Sequence, residues 1–279
     1  MNDTKSRQRA LAADFAARHQ GTELIVLPNA FDVATARLIA RHAPVAIGTT
    51  SAGIAAGFGF PDGERAPRKL LLEAAGRIVT SVDIGVTVDI EAGYGDELDD
   101  MRETVDGVIA MGAIGCNIED TGNLDGPWAG GLLPVERAVA KISAARERAQ
   151  AAGVSLVINA RTDTFLEAGD QVAHAIDRGN AYLAAGADCV FAPGVNTAAD
   201  ISRLVDGLQG PLNVYAGPGV PDVRGLEQLG VRRLSVGCGP YQACLALVDR
   251  MTRELLTNGG YEAFTKEQFS VSEMAALLT

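Results

Sequence analysis

Residues 85–96 read GVTVDIEAGYGD, a β-branched apolar run that breaks into acids and glycines. Gly85 to Glu91 has the make-up of a strand buried on both faces, and its polar end marks where that strand leaves the core. Seven other runs repeat the pattern: Leu24 to Ala30, Val45 to Thr50, Ile114 to Asp120, Ser155 to Thr162, Cys189 to Gly194, Leu212 to Gly217 and Arg233 to Gly237. Between them, Val33 to Arg41, Val135 to Ala151, Ala173 to Ala185 and Tyr241 to Leu256 carry apolar residues every three or four positions, the spacing of helices packed on a sheet.

Eight β/α units in a row predict an α/β protein, best met by a (β/α)8 TIM-type barrel as one domain over residues 1–279. A doubly wound open sheet is the structural alternative. The first strand, LIVLPNAFD, is followed by no G-x-G-x-x-G, so the usual dinucleotide fingerprint is missing. Two additions lie outside the eight units: an extra N-terminal helix and a C-terminal helical tail, 259–279, with Phe264, Phe269, Val271, Met274 and Leu277. An apolar tail needs a partner surface, so it is expected to pack on a neighbouring subunit in a homodimer or homotetramer.

A hydrophobic content of 47% with 21% charged residues supplies a large core and argues against a disordered chain. The formal charge of -11 repels phosphate backbones and anionic lipid, so neither nucleic acid nor membrane is an expected partner. The first twenty residues hold no apolar signal core, and a cytoplasmic location is expected. Cys116, Cys189, Cys238 and Cys244 show no metal-ligand or disulfide spacing and read as reduced, mostly buried thiols.

In such barrels catalytic groups stand at the C-terminal strand ends, and here those ends are acidic. Asp89 and Glu91 share strand parity, as do Asn117 and Glu119, while Cys116 and Asp120 take the opposite parity. Asn117 and Glu119 are expected inward. The end of the fifth run, NARTD, contributes Arg161, and Asp62 lies in the loop after the second. Three or four carboxylates around one guanidinium repel each other unless a cation joins them, and all-oxygen ligands point to Mg²⁺, with Mn²⁺ as the substitute. The lysines, Lys5, Lys69, Lys141 and Lys266, and the histidines, His19, His42 and His174, fall in helices or loops. A Schiff-base lysine and imidazole-bound zinc are thereby disfavoured.

At these residues the sequence resembles the isocitrate lyase and phosphoenolpyruvate mutase superfamily, through PNAFDVATARL, TTSAGIAAGFGFPDG, VDIEAGYGD, GCNIEDTG, INARTD and GVRRLSVG between Asn29 and Gly237. The resemblance implies a (β/α)8 barrel and Mg²⁺-dependent chemistry on 2-oxo or 2-hydroxy acids through an enolate. It implies Asp89 as direct metal ligand, Glu91 and Glu119 holding metal waters, and Asp62 near the site. By the same resemblance Arg161 binds the substrate carboxylate, and Thr50, Ser51 and Ala52 offer backbone N–H groups to a substrate that Asp89 and Asn117 also approach.

The loop from Thr121 to Pro134, TGNLDGPWAGGLLP, departs from the lyase branch, whose Lys-(Lys/Arg)-Cys-Gly-His loop supplies an acid/base cysteine. Its glycines suit an opening and closing loop, Trp128 suits exclusion of water, and Tyr94, Asn123 and Asp125 are candidate proton carriers. The expected function is cleavage of a carbon-carbon bond in a small acid such as pyruvate, oxaloacetate, 2-oxoglutarate or an isocitrate-like acid. The alternatives are an oxaloacetate decarboxylase, a phosphonopyruvate hydrolase-like enzyme, a phosphate-binding barrel using AGPGVPD and VGCGP, or a non-catalytic 2-oxo acid binding protein. No cysteine is expected to be catalytic.

Overall fold

The computed structural model describes residues 2–122, 126–266 and 268–279. Its strands are β1 (Ile25–Leu27), β2 (Asn29–Ala30), β3 (Ala46–Thr49), β4 (Gly85–Asp89), β5 (Gly115–Glu119), β6 (Val157–Arg161), β7 (Cys189–Phe191), β8 (Leu212–Tyr215) and β9 (Arg233–Ser235). All pair in parallel, in the order β1-β9-β8-β7-β6-β5-β4-β3-β2. The two ends of that order are halves of one predicted run, split at Pro28, whose ring nitrogen has no hydrogen to give a ladder. β1 pairs with β9, Ile25 opposite Arg233, and β2 pairs with β3, Asn29 opposite Gly48. The sheet therefore closes through this run into a (β/α)8 barrel, and the open-sheet alternative is not adopted.

Asn29 holds the seam. Its amide nitrogen gives to the Thr49 carbonyl at 2.8 Å, and its amide oxygen accepts from Val236 N at 3.0 Å and Gly237 N at 2.9 Å. One buried side chain thus ties the second stave of the barrel to the last. Gly48 makes room for it, since a Cβ there would lie 2.6 Å from Asn29 Nδ2.

Around the barrel lie α2 (Val33–Ala40), α3 (Ser51–Gly57), α4 (Arg68–Thr80), α5 (Leu98–Ala110), α6 (Val135–Ala152), α7 (Gln171–Ala184), α8 (Ala198–Gly207) and α9 (Val223–Gln228). The extra helix α1 (Asn2–His19) sends Phe15 into the core, its ring 5.9 Å from the guanidinium of Arg233 at the start of β9. The eighth unit behaves differently. Its helix α10 (Gly239–Asn258) buries none of its residues and exposes Leu245, Leu247, Val248, Leu255 and Leu256. Beyond the short α11 (Glu262–Thr265), α12 (Val271–Leu278) lies against α2 of its own chain, where Arg37 Nη1 gives to the Leu277 carbonyl at 3.2 Å. Val271, Met274 and Leu278 stay exposed there.

No helix among the described residues is long and apolar enough to cross a membrane. The cysteines are free, but only Cys116 and Cys189 are buried; Cys238 is partly exposed and Cys244 exposed, which narrows the expectation of mostly buried thiols.

Replacing Asn29 with Ala strands two backbone N–H groups and one carbonyl inside the seam. At about 1 to 3 kcal/mol for a buried group left unpaired, the variant is expected to lose about 2 to 4 kcal/mol of stability in urea unfolding. A loss below about 0.5 kcal/mol would show that the seam does not depend on it.

Candidate active site

β3 passes into α3 through Thr50, whose hydroxyl accepts from Gly53 N at 3.4 Å and so caps the helix. The next residue, Ser51, gives its hydroxyl to Asp89 Oδ2 at 2.9 Å and its backbone N–H to the same oxygen at 3.3 Å. The Ser51 hydroxyl also lies 3.4 Å from Asp62 Oδ1, so it links the acid on the 58–67 loop to the acid ending β4. Ala52 follows in α3 and adds only a methyl and its backbone.

Strand parity does not carry Glu91 into the mouth. β4 ends at Asp89, and Glu91 sits beyond it with left-handed backbone (φ 51°), as does Tyr94 (φ 62°), while Gly93 and Gly95 also have positive φ. This turn, not alternation, aims Glu91, whose carboxylate accepts from Tyr94 Oη at 2.6 Å and from Glu64 N. Such a conformation is costly for residues bearing a Cβ and persists only where neighbours hold it. Lys141 of α6 does so, giving to the carbonyls of Ala92 and Gly95 at 2.8 Å each, and Thr104 gives to Gly93 O at 2.8 Å.

Glu119, at the end of β5, and Arg161, at the end of β6, are register neighbours and form an ion pair at 2.8 Å. Arg161 Nε gives to Asp163 Oδ1, also at 2.8 Å. Asn117 faces inward but one layer lower, its oxygen accepting from Asn159 Nδ2 at 2.9 Å and Arg233 Nη2 at 3.2 Å. Cys116 and Asp120 face outward: Cys116 joins the core beneath the helices, and Asp120 takes hydrogen bonds from Arg178 and Tyr182 of α7.

The electrostatics record the crowding. Burial raises Asp89, with Asp62 adding and Arg161 opposing. Glu91 is pushed up to about 7, mainly by burial, with Asp62 and Asp89 acting the same way. Burial also raises Glu119, with Asp163, Asp89 and Glu91 adding to it and Arg161 opposing. For Arg161 burial alone would favour the neutral form, but Glu119 and Asp163 outweigh it and hold the guanidinium charged. Burial and the Glu91 charge raise the Tyr94 phenol, so it donates and stays protonated. Among the described residues, no three His, Cys, Asp or Glu side chains meet closely enough to enclose a metal ion by themselves. A cation here would keep much of its water, as Mg²⁺ does.

Asn123 and Asp125, two of the candidate proton carriers, lie outside the described residues. The rest of their loop folds back on itself, with Thr121 bridged to Leu132 and Gly122 to Ala129. Trp128 packs against the core, and a Cβ at Gly122 would meet the Trp128 carbonyl at 2.3 Å, so that glycine serves close packing. Three contributors went unread in the sequence. Asp163 stands two residues after Arg161 in INARTD, a spacing that could have flagged it; Lys141 gave no signal on its helix. Cys238, which lies off the β5 loop, nevertheless stands near Thr50, Asp62 and Asp89 at the mouth.

A model of the phosphoenolpyruvate phosphomutase family matches residues 15–256. Over 228 residues the chain is 37% identical to an uncharacterized protein of Mycobacterium tuberculosis (strain ATCC 25618 / H37Rv), covering 81% of this chain and 82% of that one. It is 30% identical over 259 residues to an oxaloacetate decarboxylase of Ectopseudomonas mendocina (strain ymp), covering 91% and 84% respectively. A solved structure from Burkholderia cenocepacia J2315 superposes with a TM-score of 0.89 at 31% identity, covering 97% of this chain and 96% of that one. With this barrel and these matches together, the chain belongs to the phosphoenolpyruvate phosphomutase family, in the superfamily that also contains isocitrate lyase.

Proposed function

We propose that the protein is a Mg²⁺-dependent lyase that cleaves a carbon-carbon bond of a small 2-oxo or 2-hydroxy acid. The observation that carries this reading is the gathering of Asp62, Asp89, Glu91 and Glu119 around Arg161 in one barrel mouth. Three of these acids are raised by burial and by one another, a surplus of negative charge that a divalent cation relieves. The donor set therefore fits Mg²⁺, or Mn²⁺ in its place: Asp89 would bind it directly, and Glu91 and Glu119 would hold its waters. When bound, the cation supplies a fixed positive charge for the carboxylate and keto oxygens of a 2-oxo acid.

The chain's own residues do the rest. Arg161 offers its remaining nitrogen edge, Nη2, to the substrate carboxylate while Glu119 and Asp163 fix the plane of the fork. Thr50 N–H already gives to the Ala30 carbonyl and Ser51 N–H to Asp89, so of the three residues expected to offer backbone N–H groups only Ala52, in the first turn of α3, keeps one for the substrate. Glu91, near 7, can hold or release a proton at neutral pH, and Tyr94 donates to it. The similarity to an oxaloacetate decarboxylase favours a second reading within the same chemistry, in which carbon dioxide is the leaving group.

We also propose that α10 and the 259–279 tail complete their packing on another copy, because α10 buries none of its own residues. A dimer or tetramer is expected in light scattering at micromolar concentration, and a monodisperse monomer would refute it.

Two further outcomes test the site. Oxalate, a mimic of the pyruvate enolate, should bind only with Mg²⁺ present, and Arg161→Lys should weaken it by about 1 to 3 kcal/mol in calorimetry, as expected for loss of charge-assisted hydrogen bonds. Equal binding without Mg²⁺, or by the variant, would overturn the arrangement. Because Glu91 is raised, it is neutral below about 7 and charged above, so Mg²⁺ affinity should be full above that pH and fall on acidification. One proton displaced from Glu91 makes the decline at least about tenfold per unit, the raised Asp89 and Glu119 can steepen it at lower pH, and Glu91→Gln should make the decline shallower near 7.

A further inference from the structure

The charges of the mouth are divided unevenly around its rim. The acid side runs over β3, β4 and β5, with Asp62, Asp89, Glu91 and Glu119. Past Arg161 the register continues to Phe191, which pairs with it across β6 and β7, and then through β8 to Tyr215, which pairs with Ser235. Phe191 is buried and Tyr215 partly so, and neither is charged. The loops above this wall are equally neutral: 192–197 reads APGVNT, 216–222 reads AGPGVPD and 236–238 reads VGC. Their one charged residue, Asp222, is exposed and accepts from Gly225 N to cap α9.

Cations are as scarce as this suggests. Across all the loops that follow strands, the sequence has one Lys, Arg or His outside the helices, Arg65, and that residue already has a partner. The loop at 120–134, DTGNLDGPWAGGLLP, contains none. Arg233 is buried below Asn117, to which it is hydrogen-bonded, and so belongs to the floor.

A substrate whose 2-oxo carboxylate meets Arg161 and the cation must lay its distal part on one of these sides. A second carboxylate on the acid side would face four carboxylates, and on the neutral side it would be desolvated against Phe191 and Tyr215 with no counter-charge. An alkyl or hydroxyl-bearing chain meets neither cost. Resting on the first reading proposed above, and against the second, whose oxaloacetate is a dicarboxylate, we infer that the substrate is a 2-oxo monocarboxylate with an uncharged distal group, and that the mouth discriminates against dicarboxylates of the same length.

The test is calorimetric displacement of oxalate from the intact protein with Mg²⁺, using two acids of equal chain length, 2-oxopentanoate and 2-oxoglutarate. 2-Oxopentanoate should displace oxalate at least about tenfold more tightly, a difference of roughly 1.4 kcal/mol. Equal or tighter binding of 2-oxoglutarate would overturn the inference, as would failure of 2-oxopentanoate to displace bound oxalate. If oxalate itself does not bind with Mg²⁺, the fault lies with the proposed function, so the two failures are distinguishable.

Discussion

Arg161 is the positive charge on which the rest of the mouth depends. It stands between Glu119 and Asp163, 2.8 Å from each, and its charge opposes the rise that burial imposes on Asp89 and Glu119. A buried guanidinium is stable only when its donors are met, and a crowd of carboxylates is stable only near such a charge. Each half of the site therefore requires the other. Asp163 extends the arrangement outward: it accepts from Thr121 Oγ1 at 2.6 Å, and its backbone N–H gives to Asp120. Asp120 in turn holds Arg178, whose Nη2 gives to the Leu133 carbonyl. Both ends of the loop after β5 thus rest on the network that orients Arg161.

The turn at 91–95 shows how much structure is committed to one carboxylate. Placing Glu91 and Tyr94 in left-handed backbone costs on the order of 1 to 3 kcal/mol each. The bonds from Lys141 and Thr104 to three carbonyls of the turn offset that cost, and Lys141 is buried to make them. Burial pushes the Lys141 amine down, with Glu64 and Asp96 opposing that shift. A lysine that is useless as a Schiff base from its helix is thereby the anchor of the turn that carries Glu91.

The fold was legible because its signal is repeated. Eight apolar runs separated by helix-period segments leave little choice of architecture, and only the break at Pro28 altered a strand. Position at the mouth was legible where strand geometry rules, as for Asp89, Glu119 and Arg161. Glu91 was expected there by alternation but reaches the mouth through left-handed backbone instead, and Lys141 was not legible, because its reach from α6 to the turn is set by tertiary packing. Gly122 misleads for a related reason: composition shows freedom to move, whereas the Trp128 carbonyl occupies the space a side chain would need.

Asn117 shows a subtler limit. Parity fixes the face of a strand on which a side chain lies, but not its height along the barrel axis, and height decides whether it meets a substrate or the floor. Here the floor is polar. Thr87, Asn117, Asn159, Asn213, Ser235 and Arg233 are all buried within the staves, where barrels of this kind usually carry branched apolar layers. The absence of a side chain at Gly115 leaves room among them, since a Cβ there would lie 2.9 Å from Thr87 Oγ1. Burial lowers Arg233 to about 10, which still leaves it charged at neutral pH, and Asp89 is among the groups that favour that charge. The acids are consequently flanked by Arg161 at their own level and underlain by Arg233. Two guanidiniums against Asp62, Asp89, Glu91, Glu119 and Asp163 leave carboxylates in surplus, the imbalance that a divalent ion would relieve.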